Sequence, residues 1–454
     1  MEWVSDNNAA LLTDLYELTM AASYHANDMT GEATFDLFVR DTPDRNFLVA
    51  CGLDEALSFL ENLSFDATSL SYLADLDIFD QSFLDYLASL RFTGEVRSVR
   101  EGEIVFPHEP LLSVTAPLLE AQIVETFLLN CVSFQTMVAS KAARVALACR
   151  GKPFVDFSAR RDHGADAALK AARAAYVGGA SGTSNVLAGM VYGVPVSGTM
   201  AHSYVMAFED EMEAFRRFCR DFPRPVLLID TFDVDEGARN AVRIARELAP
   251  EGVELDGVRI DSGPLAPLTR SVREILDGGG LEKVDIVLSG DLDEFRIQQL
   301  LDEGVPADRF GVGTQLGTSG DAPSLGSVYK LVAQEGEPKI KLSTGKATLP
   351  GRKQVHRFTA RGHLVRDVIA LEDEPVPGAR SLLSCVMEGG RRLAAPEPLA
   401  EVRSRCLDGL GDLPDALRSM EQAPERYPVE RSERLQELVG RMRDRSRPSA
   451  APAG

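Results

Sequence analysis

His202 is the side chain best placed to do chemistry in this chain. It follows Gly198-Thr199 in the stretch V-P-V-S-G-T-M-A-H-S-Y, with the hydroxyls of Thr199 and Ser203 beside it. An imidazole held that way can keep one tautomer and act as a base or a nucleophile near neutral pH. A structural histidine is the plainer reading, and its company decides between them. Arg160 and Arg161 in F-S-A-R-R offer two guanidinium groups suited to a carboxylate or a phosphate. The small-residue stretch 178–185, G-G-A-S-G-T-S-N, has backbone amides and hydroxyls that either cradle an anion or allow close packing. Asp230-Thr231-Phe232-Asp233 and Arg259-Ile260-Asp261-Ser262-Gly263 add carboxylates suited to ribose hydroxyls, or to Mg²⁺ through water. Ser289-Gly290-Asp291 and Gly311-Val312-Gly313-Thr314-Gln315 bring small residues whose amides can approach an anion.

Each of these groups ends a short apolar run, and the runs are what must position them. From Lys152 onward P-F-V-D-F, V-P-V-S-G-T, P-V-L-L-I-D-T-F, G-V-R-I-D-S-G, V-D-I-V-L-S-G-D and R-F-G-V-G-T alternate with helical stretches. Six buried strands alternating with helices predict an α/β fold with a parallel sheet, and a series that long suggests a barrel; an open doubly wound sheet is the main rival, and both put ligands at the carboxyl ends of the strands. Within this series Val194 and Val196 read as a buried strand and His202 as a loop residue. The earlier residues read as an α+β lobe. An amphipathic helix is expected over Ala9–Asn27, a strand over Ala33–Val39, three short helices within 53–90, strand pieces within 93–113 and a helix from about Leu118 to Cys149.

Composition narrows the functional class. Forty-eight basic against 69 acidic residues give a net charge of −21, which repels nucleic acid and anionic membranes and requires a local basic pocket for any phosphate-bearing ligand. Six cysteines without metal-binding spacing point to reduced thiols and a cytoplasmic protein, and no 18-residue apolar run or export-type leader is read.

T-D-L-Y-E-L-T-M (13–20), F-S-A-R-R (157–161), G-T-M-A-H-S (198–203), R-I-D-S-G (259–263), G-V-G-T (311–314) and P-S-L-G-S-V-Y-K-L-V (323–332) together make the chain resemble nicotinate phosphoribosyltransferase, from about residue 10 to Y-P-V at 427–429. The resemblance implies an irregular parallel α/β barrel with an α+β lobe built from both ends of the chain. The expected division is an N-terminal lobe at 1–145, the barrel at 146–330, a segment at 331–440 completing the lobe, and a disordered tail at 441–454. It also implies a homodimer with its site at the subunit interface, ATP as co-substrate and Mg²⁺ on the diphosphate. By the same resemblance His202 is phosphorylated by ATP, and nicotinate lies against Tyr16, Thr199 and Arg259. Phosphoribosyl pyrophosphate is then expected at Thr314, Gly313 and Gly311, with Arg160, Arg161, Asp261, Ser262, Ser289 and Gly290. Relatives that use nicotinamide resemble G-T-D-T where this chain has Gly182-Thr183-Ser184-Asn185. The cysteine-rich zinc site of some members has no counterpart around Cys385 and Cys406, so no structural zinc is expected. The rival readings are a nicotinamide or quinolinate phosphoribosyltransferase and a non-enzymatic binding barrel.

Overall fold

The computed structural model describes residues 4, 5, 7–42, 44–343 and 348–445. The chain forms two units, Met1–Met137 with Ser324–Gly454, and Val138–Pro323.

The first unit is built on strand Glu32–Val39, which is buried along nearly its whole length. Apolar Phe35, Leu37 and Val39 face one way, and strands Pro110–Pro117 and Ser327–Gln334 pair with it antiparallel on either side. These strands belong to a seven-stranded sheet that also takes in Glu95–Ser98 and Ser384–Glu388, so both ends of the sequence share one core. Asp36 on the other face is almost fully buried and ion-pairs with Lys353 Nζ at 2.9 Å. A four-stranded sheet carries Lys353–Ala360 and His363–Leu371, crossed by a buried Arg357–Asp367 pair at 2.6 Å.

Helix limits in this unit differ from the expectation in two places. The first helix runs Leu15–Ala26 with Asp14 as its N-cap residue, and Ala9–Leu11 is a separate 3-10 turn. Fully buried Glu17 explains the late start: Thr126 N–H donates to it at 3.1 Å, and the hydroxyls of Thr13 and Thr126 donate as well, fixing the first turn. The expected helix from Leu118 to Cys149 is two, Leu118–Ile123 and Glu125–Ala148, separated at Val124. At the other end helix Glu433–Arg445 includes residues 441–445, which were expected to be disordered. Its buried Leu435 and Val439 anchor the start of that helix. Residues 446–454 of the expected tail lie outside the described residues.

The second unit holds a six-stranded parallel sheet made of Phe154–Asp156, Gly182–Thr183, Val226–Leu228, Gly257–Ile260, Asp285–Leu288 and Arg309–Val312. Neighbours follow the sequence, except that the last strand, Arg309–Val312, pairs with the first, Phe154–Asp156. Val196 adds an isolated parallel bridge to Thr183, and among the described residues no pairing joins Val196 to Val226–Leu228.

The second strand is therefore not the Val194–Val196 run. Val194 is buried, but Val196 is 52% exposed, and the ladder position beside Phe154–Asp156 is taken by Gly182–Thr183. Pro195 has no N–H to give a ladder, whereas its carbonyl accepts from Thr183 N at 3.0 Å. Buried Phe154, Leu227, Leu228, Val258, Ile260, Ile286, Leu288, Phe310 and Val312 fill the sheet's core. Among the described residues no helix is long and apolar enough to cross a membrane.

Candidate active site

The carboxyl ends of the parallel strands are tied together by hydroxyl and carboxylate groups. After Val226–Leu228 comes Asp230, whose Oδ2 accepts from Asp261 N at 2.9 Å and Ser262 Oγ at 2.7 Å, across to the end of the Gly257–Ile260 strand. Asp261 Oδ1 in turn accepts from Ser289 Oγ, at the end of Asp285–Leu288. Gly290 sits so close that a Cβ there would lie 1.9 Å from the Asp261 carbonyl oxygen, and its φ of +88° also favours glycine. At the first strand Asp156 accepts from Ser158 N at 2.9 Å and Thr183 Oγ1 at 2.7 Å, which binds the F-S-A-R-R turn to the 182–185 loop. Burial pushes the Asp156 carboxyl up. Asp162 is pushed up to about 6 by burial and by the nearby Asp156, and receives Ser158 Oγ at 3.0 Å.

His202 is the first residue of a five-residue helix, His202–Met206, and not a loop residue. Its Nδ1 lies 3.2 Å from Thr231 Oγ1 and its Nε2 3.9 Å from Asp261 Oδ2, so the ring spans the ends of two neighbouring strands. The hydroxyl that holds it is thus neither Thr199 nor Ser203. Thr199 Oγ1 instead accepts from Arg259 Nη1 and donates to the Met200 carbonyl at 3.2 Å. The sequence alone gave Thr231 no signal beyond its place at a strand end.

Arg259 is the cation at the centre of this arrangement. Its Nη2 is 3.9 Å from Asp261 Oδ1, and its buried Nε has no acceptor among the described residues. Burial lowers its basicity, Asp261 and Asp230 oppose that, and the positive charge of Arg160 adds to it. A guanidinium left with a spare buried donor is a receptor for an anion. Arg160 and Arg161 are exposed, and among the described residues neither forms an ion pair, which leaves both available to an anionic ligand.

The remaining expected positions divide between strand and loop. Gly311 is buried inside its strand, where a Cβ would meet the Phe157 ring at 2.4 Å. Gly313 and exposed Thr314 open the short helix Thr314–Gly317 just beyond. Tyr16, expected beside Thr199 and Arg259, belongs to the first unit, on Leu15–Ala26 with its ring 46% exposed. Asp230 has a buried Oδ1 without a donor, an acceptor that suits a hydrated cation. Among the described residues no cluster of three or more His, Cys, Asp or Glu could enclose a metal ion.

The chain is similar to known proteins of one family. Residues 11–133 match the model of the nicotinate phosphoribosyltransferase N-terminal domain, and residues 153–348 match that of the nicotinate phosphoribosyltransferase family. The chain is 45% identical over 445 residues to nicotinate phosphoribosyltransferase pncB2 of Mycobacterium tuberculosis, covering 98% of this chain and 96% of that one. It is 39% identical to nicotinate phosphoribosyltransferase of Bacillus subtilis, covering 94% of each. The crystal structure of human nicotinic acid phosphoribosyltransferase superposes with a TM-score of 0.85 at 31% identity, covering 95% of this chain and 99% of the other. With its two matched regions in order and its strand-end residues assembled around Arg259 and His202, this chain belongs to the nicotinate phosphoribosyltransferase family.

Proposed function

We propose that this enzyme transfers the 5-phosphoribosyl group of phosphoribosyl pyrophosphate to nicotinate, giving nicotinate mononucleotide and pyrophosphate in NAD biosynthesis, at the expense of ATP. The observation that carries the reading is Arg259, a largely buried cation with an unpaired Nε beside His202, Thr199 and Asp261. In this reading Arg259 and the Thr199 hydroxyl hold the nicotinate carboxylate. The pyridine nitrogen attacks C1 of the ribose as the bond from C1 to the diphosphate oxygen breaks. Asp261, Ser262, Ser289 and Gly290 face the ribose and its phosphate, and Gly311, Gly313, Thr314, Arg160 and Arg161 face the charged groups of phosphoribosyl pyrophosphate.

His202 takes the phosphoryl group of ATP on an imidazole nitrogen, with ADP leaving, and its hydrolysis drives the transfer forward. Mg²⁺ would be held mainly by the diphosphate, through water to Asp230 and Asp261, and when bound it neutralises charge on the leaving group.

Two structural inferences accompany this one. The six-stranded sheet is an irregular barrel, supported by the pairing of its last strand with its first and interrupted between Val196 and Val226. The N-terminal and C-terminal segments form the accompanying lobe. The enzyme works as a homodimer in the cytoplasm; support for the dimer comes from the helix Val186–Tyr192, which exposes Val186, Leu187, Met190 and Val191 in an otherwise highly charged protein.

A product assay with nicotinate, nicotinamide and quinolinate, each with and without ATP, tests the reading. Nicotinate mononucleotide is expected from nicotinate, with ATP stimulation; carbon dioxide release from quinolinate would point to the decarboxylating rival. Arg259→Ala is expected to raise the KM for nicotinate at least tenfold, since losing a charge-assisted pair in a partly dry site costs on the order of 2–5 kcal/mol. An unchanged KM in that variant would make Arg259 a structural or phosphate-binding residue.

A further inference from the structure

Helix Glu125–Ala148 reads as apolar in the sequence, yet it carries two cations into the core of the second unit. Lys141 and Arg144 are 1% and 3% exposed at their side chains. Lys141 Nζ lies 2.5 Å from Glu294 Oε2 and 2.9 Å from Asp321 Oδ1. Arg144 Nε lies 2.8 Å from Glu294 Oε1 and 4.0 Å from Asp321 Oδ2, and its guanidinium stands over the Phe295 ring at 5.5 Å. Two cations and two anions close on one another with no net charge.

The two anions occupy informative places. Glu294 opens helix Glu294–Asp302, directly after the Ser289-Gly290-Asp291 loop at the end of the Asp285–Leu288 strand. Asp321 closes the segment that begins with Gly313 and Thr314 at the end of the neighbouring Arg309–Val312 strand. Around it Ser319 Oγ donates to the Ala322 carbonyl at 2.9 Å and Ala322 N donates to the Ser319 carbonyl at 2.8 Å, which closes the turn that carries Asp321. Lys141 therefore links the start of the helix that follows the 289–291 loop to the turn that follows helix Thr314–Gly317. Stability alone does not account for such a cluster, because replacing buried ion groups with apolar side chains of similar size is often neutral or stabilising. What an apolar replacement cannot supply is a directional link that fixes one loop relative to the other.

We propose that Lys141, with Arg144, Glu294 and Asp321, is a positioning device for phosphoribosyl pyrophosphate, setting the separation between the 289–291 loop and the Gly313-Thr314 turn. It rests on the reading that these two loops bind that substrate. The four residues act through the loops and touch no substrate.

The test compares Lys141→Met, Asp321→Asn and their double variant with the wild type, measuring kcat, both Michaelis constants and the thermal midpoint. Each single variant is expected to raise the KM for phosphoribosyl pyrophosphate on the order of tenfold, as small misplacements of positioning groups do, with the KM for nicotinate little changed. The double variant should be no worse than the worse single one, because both remove one shared contact. If Lys141→Met does not fold, Asp321→Asn, which keeps the side-chain shape at a partly exposed position, gives the answer. An unchanged KM for phosphoribosyl pyrophosphate, or equal rises in both Michaelis constants, overturns the proposal. Thr314→Ala serves as the control: no effect of that variant on phosphoribosyl pyrophosphate would refute the loop's role itself, whereas an effect there with none in the Lys141 and Asp321 variants refutes only the positioning device.

Discussion

His202→Ala is expected to abolish ATP stimulation of phosphoribosyl transfer while leaving the protein folded. The ring is 38% exposed at its side chain and sits at the first position of a short helix, so truncation opens no core cavity and should change stability by no more than about 0.5 kcal/mol. What it removes is the only imidazole beside the Asp230–Asp261–Ser289 chain among the described residues, held at Nδ1 by Thr231 and faced at Nε2 by Asp261. A ring set between a hydroxyl and a carboxylate is held in place, which suits one of its nitrogens to accept a phosphoryl group. Radiolabel from the γ-phosphate of ATP should appear on the wild type and not on the variant, and the ratio of rates with and without ATP should fall to unity. The basal reaction without ATP should persist, since Arg259 and the other strand-end loops are untouched. A folded His202→Ala protein that still responds to ATP would remove the histidine from the coupling step and leave it a structural group.

Much of this site was legible because strand ends announce themselves. Asp230, Asp261, Ser289 and Gly313 each follow an apolar run, and a parallel sheet brings such ends together whatever its closure. Partnership was not legible. Thr199 and Ser203 are the hydroxyls nearest His202 in sequence, yet a helix begins at His202 and turns the ring toward Thr231, which arrives from the next strand of the sheet. The second strand was misassigned for a related reason: Val194-Pro195-Val196 is the more apolar run, but small Gly182 fits against the Pro195 carbonyl, where a Cβ would lie 2.5 Å from the oxygen. Periodicity measures apolar character, and here backbone access decided. Lys141 was invisible altogether, because a cation in a long apolar helix reads as a surface residue until its two carboxylate partners, more than 150 positions away, are known.

Nicotinate should be used roughly a thousandfold more efficiently than nicotinamide, the discrimination typical of a site with a buried polar group that one substrate satisfies and the other does not. The two compounds differ at one group. A carboxylate accepts hydrogen bonds and carries a charge, and Arg259 offers it a cation with an unpaired Nε, next to the Thr199 hydroxyl. The amide would leave that cation without a counter-charge in a largely buried setting, and its NH₂ would need an acceptor. The resemblance to nicotinamide-using relatives points to the 182–185 stretch for that acceptor, and hydrogen bonds tie it down: Thr183 Oγ1 donates to Asp156 at 2.7 Å, Ser184 N donates to the Asp156 carbonyl at 2.9 Å, and Ser197 N donates to the Thr183 carbonyl at 3.0 Å. Ser184 in that frame presents a hydroxyl and no carboxylate. Ser184→Asp changes only this, on a backbone held by groups that the substitution does not touch, and is expected to raise kcat/KM for nicotinamide while lowering it for nicotinate. The measurement is kcat/KM for both compounds in the wild type and the variant. Comparable wild-type efficiencies would sink the assignment of Arg259 to the carboxylate, and a variant in which the two values keep their ratio would show that selectivity against the amide arises elsewhere than at residue 184.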